Sequence, residues 1–186
     1  MRSKETLKGK KILVGICGSI AAYKSCELIR TLVTEGASVY VLLTQHALHF
    51  VTPLTLKTLS GHSVIQSVLD EEDFASMMHT QMAHWADLVV VAPATANIIG
   101  KVASGIADDV ITTTMMATRK PVIFAPAMND QMYENPIVQE NIQKLKSHGY
   151  FFVNPEVGYL ACGYEGVGRL ASLEAILKEV QKRISN

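Results

Sequence analysis

The nine residues Ala161-Cys162-Gly163-Tyr164-Glu165-Gly166-Val167-Gly168-Arg169 set one thiol among three glycines and a closing arginine. A thiol offers a transferable proton and a guanidinium clamps anions. Glycine permits backbone conformations that side chains forbid. Two readings stand side by side: a substrate-clamp flap at about 155–170 that folds over a ligand, and a glycine-rich surface turn with an incidental thiol.

Four other segments carry candidate chemistry. Gly15 and Gly18 bracket a turn without matching the dinucleotide fingerprint or the P-loop pattern. Its free N–H groups and the Ser19 hydroxyl suit a phosphate at a helix N-terminus, and Ser19 equally suits a plain N-cap. Pro93-Ala94-Thr95-Ala96-Asn97 offers small residues, a hydroxyl and an amide, which lets a flat ring approach the backbone while its edge is hydrogen-bonded; capping by Thr95 is the plainer alternative. Phe50, in the segment Thr44 to Phe50, is either a ring-packing face or core. In Pro126-Ala127-Met128-Asn129, the Asn129 amide can donate to a carboxylate or cap the next helix, leaving Met132 as a core filler.

His79 and His84 are five apart and do not share a helix face, which argues against a metal pair. Either imidazole can serve as a general base near neutrality, or as a surface or core histidine.

These residues need a frame, and the apolar runs supply one. Lys11–Cys17, Ser38–Thr44, Asp87–Ala92 and Pro121–Ala125 are continuously apolar and rich in β-branched residues, as parallel strands covered on both faces are. Intervals long enough for helices separate them, the first helix running from Ser19 to about Glu35. A weaker run spans Tyr150–Val153. An amphipathic helix follows over Ser172–Arg183, capped by Ser172, with Glu174 and Glu179 facing out. The alternation predicts an α/β, doubly wound parallel sheet of the Rossmann-like kind in a single domain, residues 1–186. Ligands of such sheets sit beyond the carboxyl ends of the strands, where the candidate segments fall.

Composition narrows the classes. Seventeen basic and seventeen acidic residues balance, and no basic footprint for nucleic acid stands out. No apolar run is long enough to span a bilayer, so a cytoplasmic protein without membrane partners is expected. Cys17, Cys26 and Cys162 lack metal-site or disulfide spacing, and Cys17 and Cys26 read as small core residues. No metal is expected. Hydrophobic residues make up 48% of the chain, enough for buried contacts between subunits.

Taken together, Gly18 to Lys24, His79 with Trp85-Ala86-Asp87, Ala92 to Asn97, Pro126 to Met132, Ala161-Cys162-Gly163 and Gly168-Arg169 resemble the flavin-dependent cysteine decarboxylases, in particular those acting on 4'-phosphopantothenoylcysteine in coenzyme A biosynthesis. The resemblance covers nearly the whole chain and implies FMN, held by Gly18, Ser19, Ile20, Thr44, Phe50, Pro93, Ala94, Thr95, Ala96, Asn97 and Ala127. It implies His79, Asn129 and Cys162 as catalytic residues, and Asn129, Met132, Ala161, Gly163 and Arg169 as substrate contacts, with Gly163, Gly166 and Gly168 as hinges of the flap. Leu170 stands where many relatives have methionine, a volume-conserving difference.

The implied reaction oxidises the thiol-bearing carbon transiently, loses CO2 into the resulting C=S, and reduces the enethiolate to 4'-phosphopantetheine. His79 would assist the first proton removal and Cys162 deliver the last proton. The resemblance also implies a homo-oligomer, trimer or dodecamer, and a separate synthetase that supplies the substrate. Two alternatives remain: a peptidyl-cysteine decarboxylase, and a non-catalytic FMN-binding regulatory relative.

Overall fold

A computed structural model of the chain describes residues 6–67 and 78–184, the side chains of Met78 and His79 excepted. Six parallel strands form the main sheet: β1 (Lys11–Ile16), β2 (Ser38–Leu43), β3 (Val64–Ile65), β4 (Leu88–Ala94), β5 (Val122–Pro126) and β6 (Phe151–Phe152), in the order β3-β2-β1-β4-β5-β6. The expected doubly wound α/β sheet is present. A switch point lies between β1 and β4, whose pairing runs from Ile12 opposite Leu88 to Gly15 opposite Val91.

Strand periodicity splits the core. Ile12, Val14 and Ile16 pack on one face of the sheet with Leu28 and Leu32 of α1 (Ala22–Thr34). Leu13 joins the other face with Val89, Val91 and Phe124. That second face is covered by α4 (Ala96–Ala103), α5 (Val110–Ala117) and α7 (Pro136–Ser147) through Ile98, Ile111 and Leu145. Each such fully buried side chain stabilises the fold by about 1.5–3 kcal/mol relative to exposure. The remaining helices are α2 (Pro53–Ser60), α3 (Met78–Trp85), α6 (Asp130–Glu134) and α8 (Leu173–Ile184). α8 lays the fully buried Ile176 and Val180 into the first cluster beside α1.

Several local expectations need correcting. α1 begins at Ala22, not Ser19; its N-cap position is Ala21, without a side-chain cap, and the Ser19 Oγ instead accepts from the Ala21 N–H at 3.3 Å. β4 continues through Pro93 and Ala94, both buried, although proline usually ends a strand. The register against β5 shifts between Val91 and Ala94, and the missing proline N–H falls in that irregular stretch. β3 was not foreseen; two residues at a sheet edge leave no periodic signal. Ser172 does cap α8, its Oγ accepting from Ala175 N. Glu179, expected to face solvent, is instead half-buried and pairs with Arg183 at 2.6 Å. Arg183 in turn lies over the Phe151 ring.

The glycine-rich segment is an antiparallel hairpin, β7 (Glu156–Tyr159) and β8 (Glu165–Arg169), which forms a separate two-stranded sheet among the described residues. Leu160 N donates to Tyr164 O at 2.8 Å and Gly163 N to Leu160 O at 3.0 Å, closing a short loop with Cys162 at its tip. Gly163 has φ +93°, a conformation open to glycine at little cost. Gly166 and Gly168 both lie within β8. Gly168 packs so closely on the Met128 carbonyl that a Cβ would overlap it, and its own carbonyl accepts from Met128 N at 3.0 Å.

Candidate functional site

Two adjoining cavities open beyond the carboxyl ends of β1 and β4. The larger, about 610 Å³, is lined by Gly18, Ser19, Thr44, Thr95, Ala96, Asn97, Ala127 and Met132 from the sequence-derived set. The smaller, about 360 Å³, is lined by Ser19, Ile20, Ala127, Asn129, Ala161, Cys162 and Arg169. Ser19, Ala127 and Met128 belong to both, so the two cavities share a wall.

The first turn follows β1 directly. Gly18 is packed against His46, where a Cβ would come 2.5 Å from the histidine Cβ. The N–H groups of Gly18 and Ile20 meet no acceptor among the described residues and remain available to an anion. Cys17 lies on the cavity floor, 1% exposed, with its thiol pushed up to about 12 by burial against the opposing hydrogen bonds of Thr95. It is a neutral core thiol at physiological pH, as its sequence context implied. Cys26 is only partly buried and packs on the edge of the core, its thiol also raised by burial.

Thr95 caps α4, its Oγ1 accepting from Ile98 N at 3.3 Å, while the exposed Asn97 faces the cavity. Pro93 and Ala94 lie behind this surface, their carbonyls accepting from Cys17 N and Ala127 N. Phe50 ends the 3₁₀ turn Gln45–His49, is 44% exposed, and lines neither cavity. Met132 is no core filler: it is half-exposed at the cavity wall.

Asn129 does two things at once. Its Oδ1 accepts from Gln131 N at 3.0 Å and caps α6, which fixes the direction of the amide. Its Nδ2 therefore points to the hairpin, donating to the Tyr164 hydroxyl at 2.8 Å and reaching the Cys162 sulfur at 3.4 Å. Tyr164 donates onward to Asp130 Oδ1 at 2.7 Å. The capping alternative holds, and it leaves both N–H donors of the amide on the hairpin side. His79 lies on α3, but its side chain is outside the described residues. His84 is exposed, with Nδ1 against Thr80 O at 2.7 Å.

The sequence reading missed Lys24 and Tyr159 in the smaller cavity, and His46, Lys101 and Asp109 in the larger. Lys101 pairs with Asp108 at 2.8 Å and approaches Asp109 at 3.7 Å, and the Asp108 carboxylate holds the ammonium above the usual lysine range. Tyr164 lies inside the glycine-rich segment, where its residue type alone gives no sign of its partners. Among the described residues no cluster of three histidine, cysteine or acidic side chains is arranged to hold a metal, and no helix is long and apolar enough to cross a membrane.

The chain resembles known proteins in sequence and in fold. The flavoprotein family model matches residues 1–185. The coenzyme A biosynthesis bifunctional protein CoaBC of Bacillus subtilis is 48% identical over 179 residues, covering 96% of this chain and 44% of that protein. The protein of the same name from Vibrio cholerae is 51% identical over 166 residues, covering 89% of this chain and 42% of that protein. The chain thus spans less than half the length of these curated relatives.

Among solved structures, a cysteine-to-serine mutant of PPC decarboxylase complexed with pantothenoylaminoethenethiol superposes with a TM-score of 0.85 at 30% identity, covering 96% of this chain and 100% of that one. The FMN-dependent cysteine decarboxylase SpaF gives 0.81 at 29%, covering 97% and 99%. The FMN binding protein AtHal3 gives 0.81 at 31%, covering 94% and 96%.

Proposed function

The chain belongs to the flavoprotein family, and on that premise we propose that it is an FMN-dependent decarboxylase converting 4'-phosphopantothenoylcysteine to 4'-phosphopantetheine for coenzyme A biosynthesis. One observation carries the reading: the Asn129 amide and the Cys162 thiol converge on the smaller cavity, which shares a wall with the larger. The relatives' names and the two FMN-associated structural neighbours support it.

The residues fit the cofactor. The larger cavity is bounded by the cradle at Gly18, which a Cβ would fill, by free N–H groups beside Ser19, and by the small side chains of Ala96 and Ala127. Gly18, Ser19, Thr44, Thr95 to Asn97 and Ala127 would hold FMN there, backed by Pro93 and Ala94, whereas Ile20 lines the smaller cavity and Phe50 neither. When bound, FMN supplies the electron sink that an α-amino carboxylate lacks and returns the electron pair within the same turnover.

The chain's own groups do the rest. Asn129 Nδ2 donates to the substrate carboxylate and holds it in a fixed orientation beside the shared wall. Lys24 and Arg169, two cations on the smaller cavity, attract the phosphate end. Ala161 flanks the bound substrate, with Met132 on the wall of the adjoining larger cavity and Gly163 in the hairpin loop beside Cys162. His79 assists removal of the thiol proton as general base. Cys162 holds a proton at the hairpin tip, above the cavity, for delivery in the closing reduction.

Cysteine must already be joined to phosphopantothenate, and we assign that step to a synthetase activity outside residues 1–186. We assign the chain to a homo-oligomer, trimer or dodecamer, which sedimentation of the purified protein tests. The test is incubation of the FMN-loaded protein with phosphopantothenoylcysteine, followed by mass detection of a product about 44 Da lighter, the mass of CO2. Turnover of a peptide ending in cysteine in its place would move the assignment to the peptidyl branch, and turnover of neither would overturn it.

A further inference from the structure

We propose that Tyr164 and Asp130 form a clasp that fixes the hairpin tip over the smaller cavity and aims the Asn129 amide, which makes Tyr164 a positioning residue of the reaction. The inference rests on the decarboxylase reading for its kinetic consequence, although the clasp itself is a matter of geometry.

The donor count carries the argument. An asparagine amide has one oxygen and two N–H donors. The Asn129 oxygen is taken by Gln131 N, so the amide cannot flip without uncapping α6. One N–H goes to the Tyr164 oxygen at 2.8 Å, and the other is left for the Cys162 sulfur at 3.4 Å. Sulfur is the weaker acceptor, so an incoming substrate carboxylate displaces the thiol contact and keeps the tyrosine contact. The tyrosine therefore decides which way the remaining N–H points.

Asp130 keeps Tyr164 in its part. The tyrosine hydroxyl can accept from Asn129 in this orientation only if its proton goes elsewhere, and Asp130 Oδ1 takes it at 2.7 Å. The carboxylate holds the phenol above the usual tyrosine range, against the opposing bond from Asn129, so the hydroxyl keeps its proton. The Asp130 side chain is seated on Gly166 of β8, where a Cβ would come 2.9 Å from its Oδ2. One acidic residue at the start of α6 thus grips both the loop and the returning strand of the hairpin.

The experiment uses the FMN-loaded protein in a Cys26→Ser background, in which Cys162 is the exposed thiol and Cys17 is buried. Variants Tyr164→Phe, Asp130→Ala, Asp130→Asn and the double variant Tyr164→Phe/Asp130→Ala are compared for kcat, KM and the rate at which an aromatic disulfide labels Cys162. Tyr164→Phe and Asp130→Ala are each expected to lower kcat/KM about ten-fold, a hydrogen bond's worth, and to change the labelling rate by a similar factor. The double variant should match either single one, because the two side chains act as a unit. Asp130→Asn, which keeps an acceptor oxygen, should restore most of both values. Wild-type labelling and kinetics in Tyr164→Phe, or losses that multiply in the double variant, would overturn the clasp. If the parent protein fails to turn over, the decarboxylase reading falls, and the labelling rates alone still decide the clasp.

Discussion

The side-chain nitrogen of Asn129 lies 3.4 Å from the sulfur of Cys162, across 33 positions of sequence. One residue comes from the turn after β5 and the other from the tip of the hairpin, and the contact joins an amide donor to a thiol, the two groups proposed above to orient the carboxylate and to supply the final proton. Asn129→Asp keeps the Oδ1 cap on α6 but replaces both N–H donors with a charged acceptor. CO2 release should fall by about a hundred-fold or more, with the bound-flavin spectrum unchanged. Wild-type CO2 release in a coupled assay would remove Asn129 from the site.

Cys162→Ser should still bind FMN and release CO2, yet stall before the closing reduction because a hydroxyl is a far weaker acid than a thiol. Mass spectrometry should find an enethiol about 2 Da lighter than the wild-type product, from the two hydrogens not returned. Ordinary pantetheine product at the wild-type rate would refute the assigned role.

His79→Asn removes the proposed base. Rapid mixing with substrate should give flavin bleaching slowed by at least about a hundred-fold, the lower end of general-base contributions. Bleaching at the parent rate would rule the assignment out.

Gly18→Ala drives a methyl against His46 at the mouth of the larger cavity. We expect a loss of about 1–3 kcal/mol in stability from the overpacking, and a marked fall in flavin content read as the ratio of visible to ultraviolet absorbance. A fully flavinated variant would show that the cradle does not hold the cofactor.

Cys17 gives a pH dependence with a definite sign. Its thiol is raised by burial to about 12. Above the ordinary thiol range the unfolded chain loses that proton while the folded chain keeps it. Stability therefore falls with rising pH until the folded value is reached, by at most about 1.4 kcal/mol per pH unit for one group. Cys17→Ala should show a shallower alkaline decline between about pH 9 and 11 in urea melts. An unchanged slope would show that the buried thiol does not contribute.

The main sheet was legible because β1, β2, β4 and β5 are continuous apolar runs, a pattern that covered parallel strands require. The hairpin was not. Its strands hold Glu156, Tyr159, Glu165 and three glycines, and they are held by mutual pairing and by the Gly168 to Met128 bond rather than by an apolar face. The site followed in part from the switch-point rule, which brought Gly18, Ser19, Thr44, Thr95 and Asn129 to the correct edge. Tyr164 and Asp130 escaped it because their meaning lies in a contact across 34 positions, and single-sequence periodicity carries no such distance.

The position of α8 sets an order in time. Gly18 and Ser19 leave the ribosome early, but the face of the sheet behind them is not sealed until Ile176 and Val180 dock beside α1, more than 150 residues later. A chain still being synthesised therefore holds half of its ligand cleft long before that half has a stable wall, and parallel pairing of this kind is slow to close. Stable flavin loading is then expected only after α8 has docked, so chains truncated before Ile176 should retain little or no flavin.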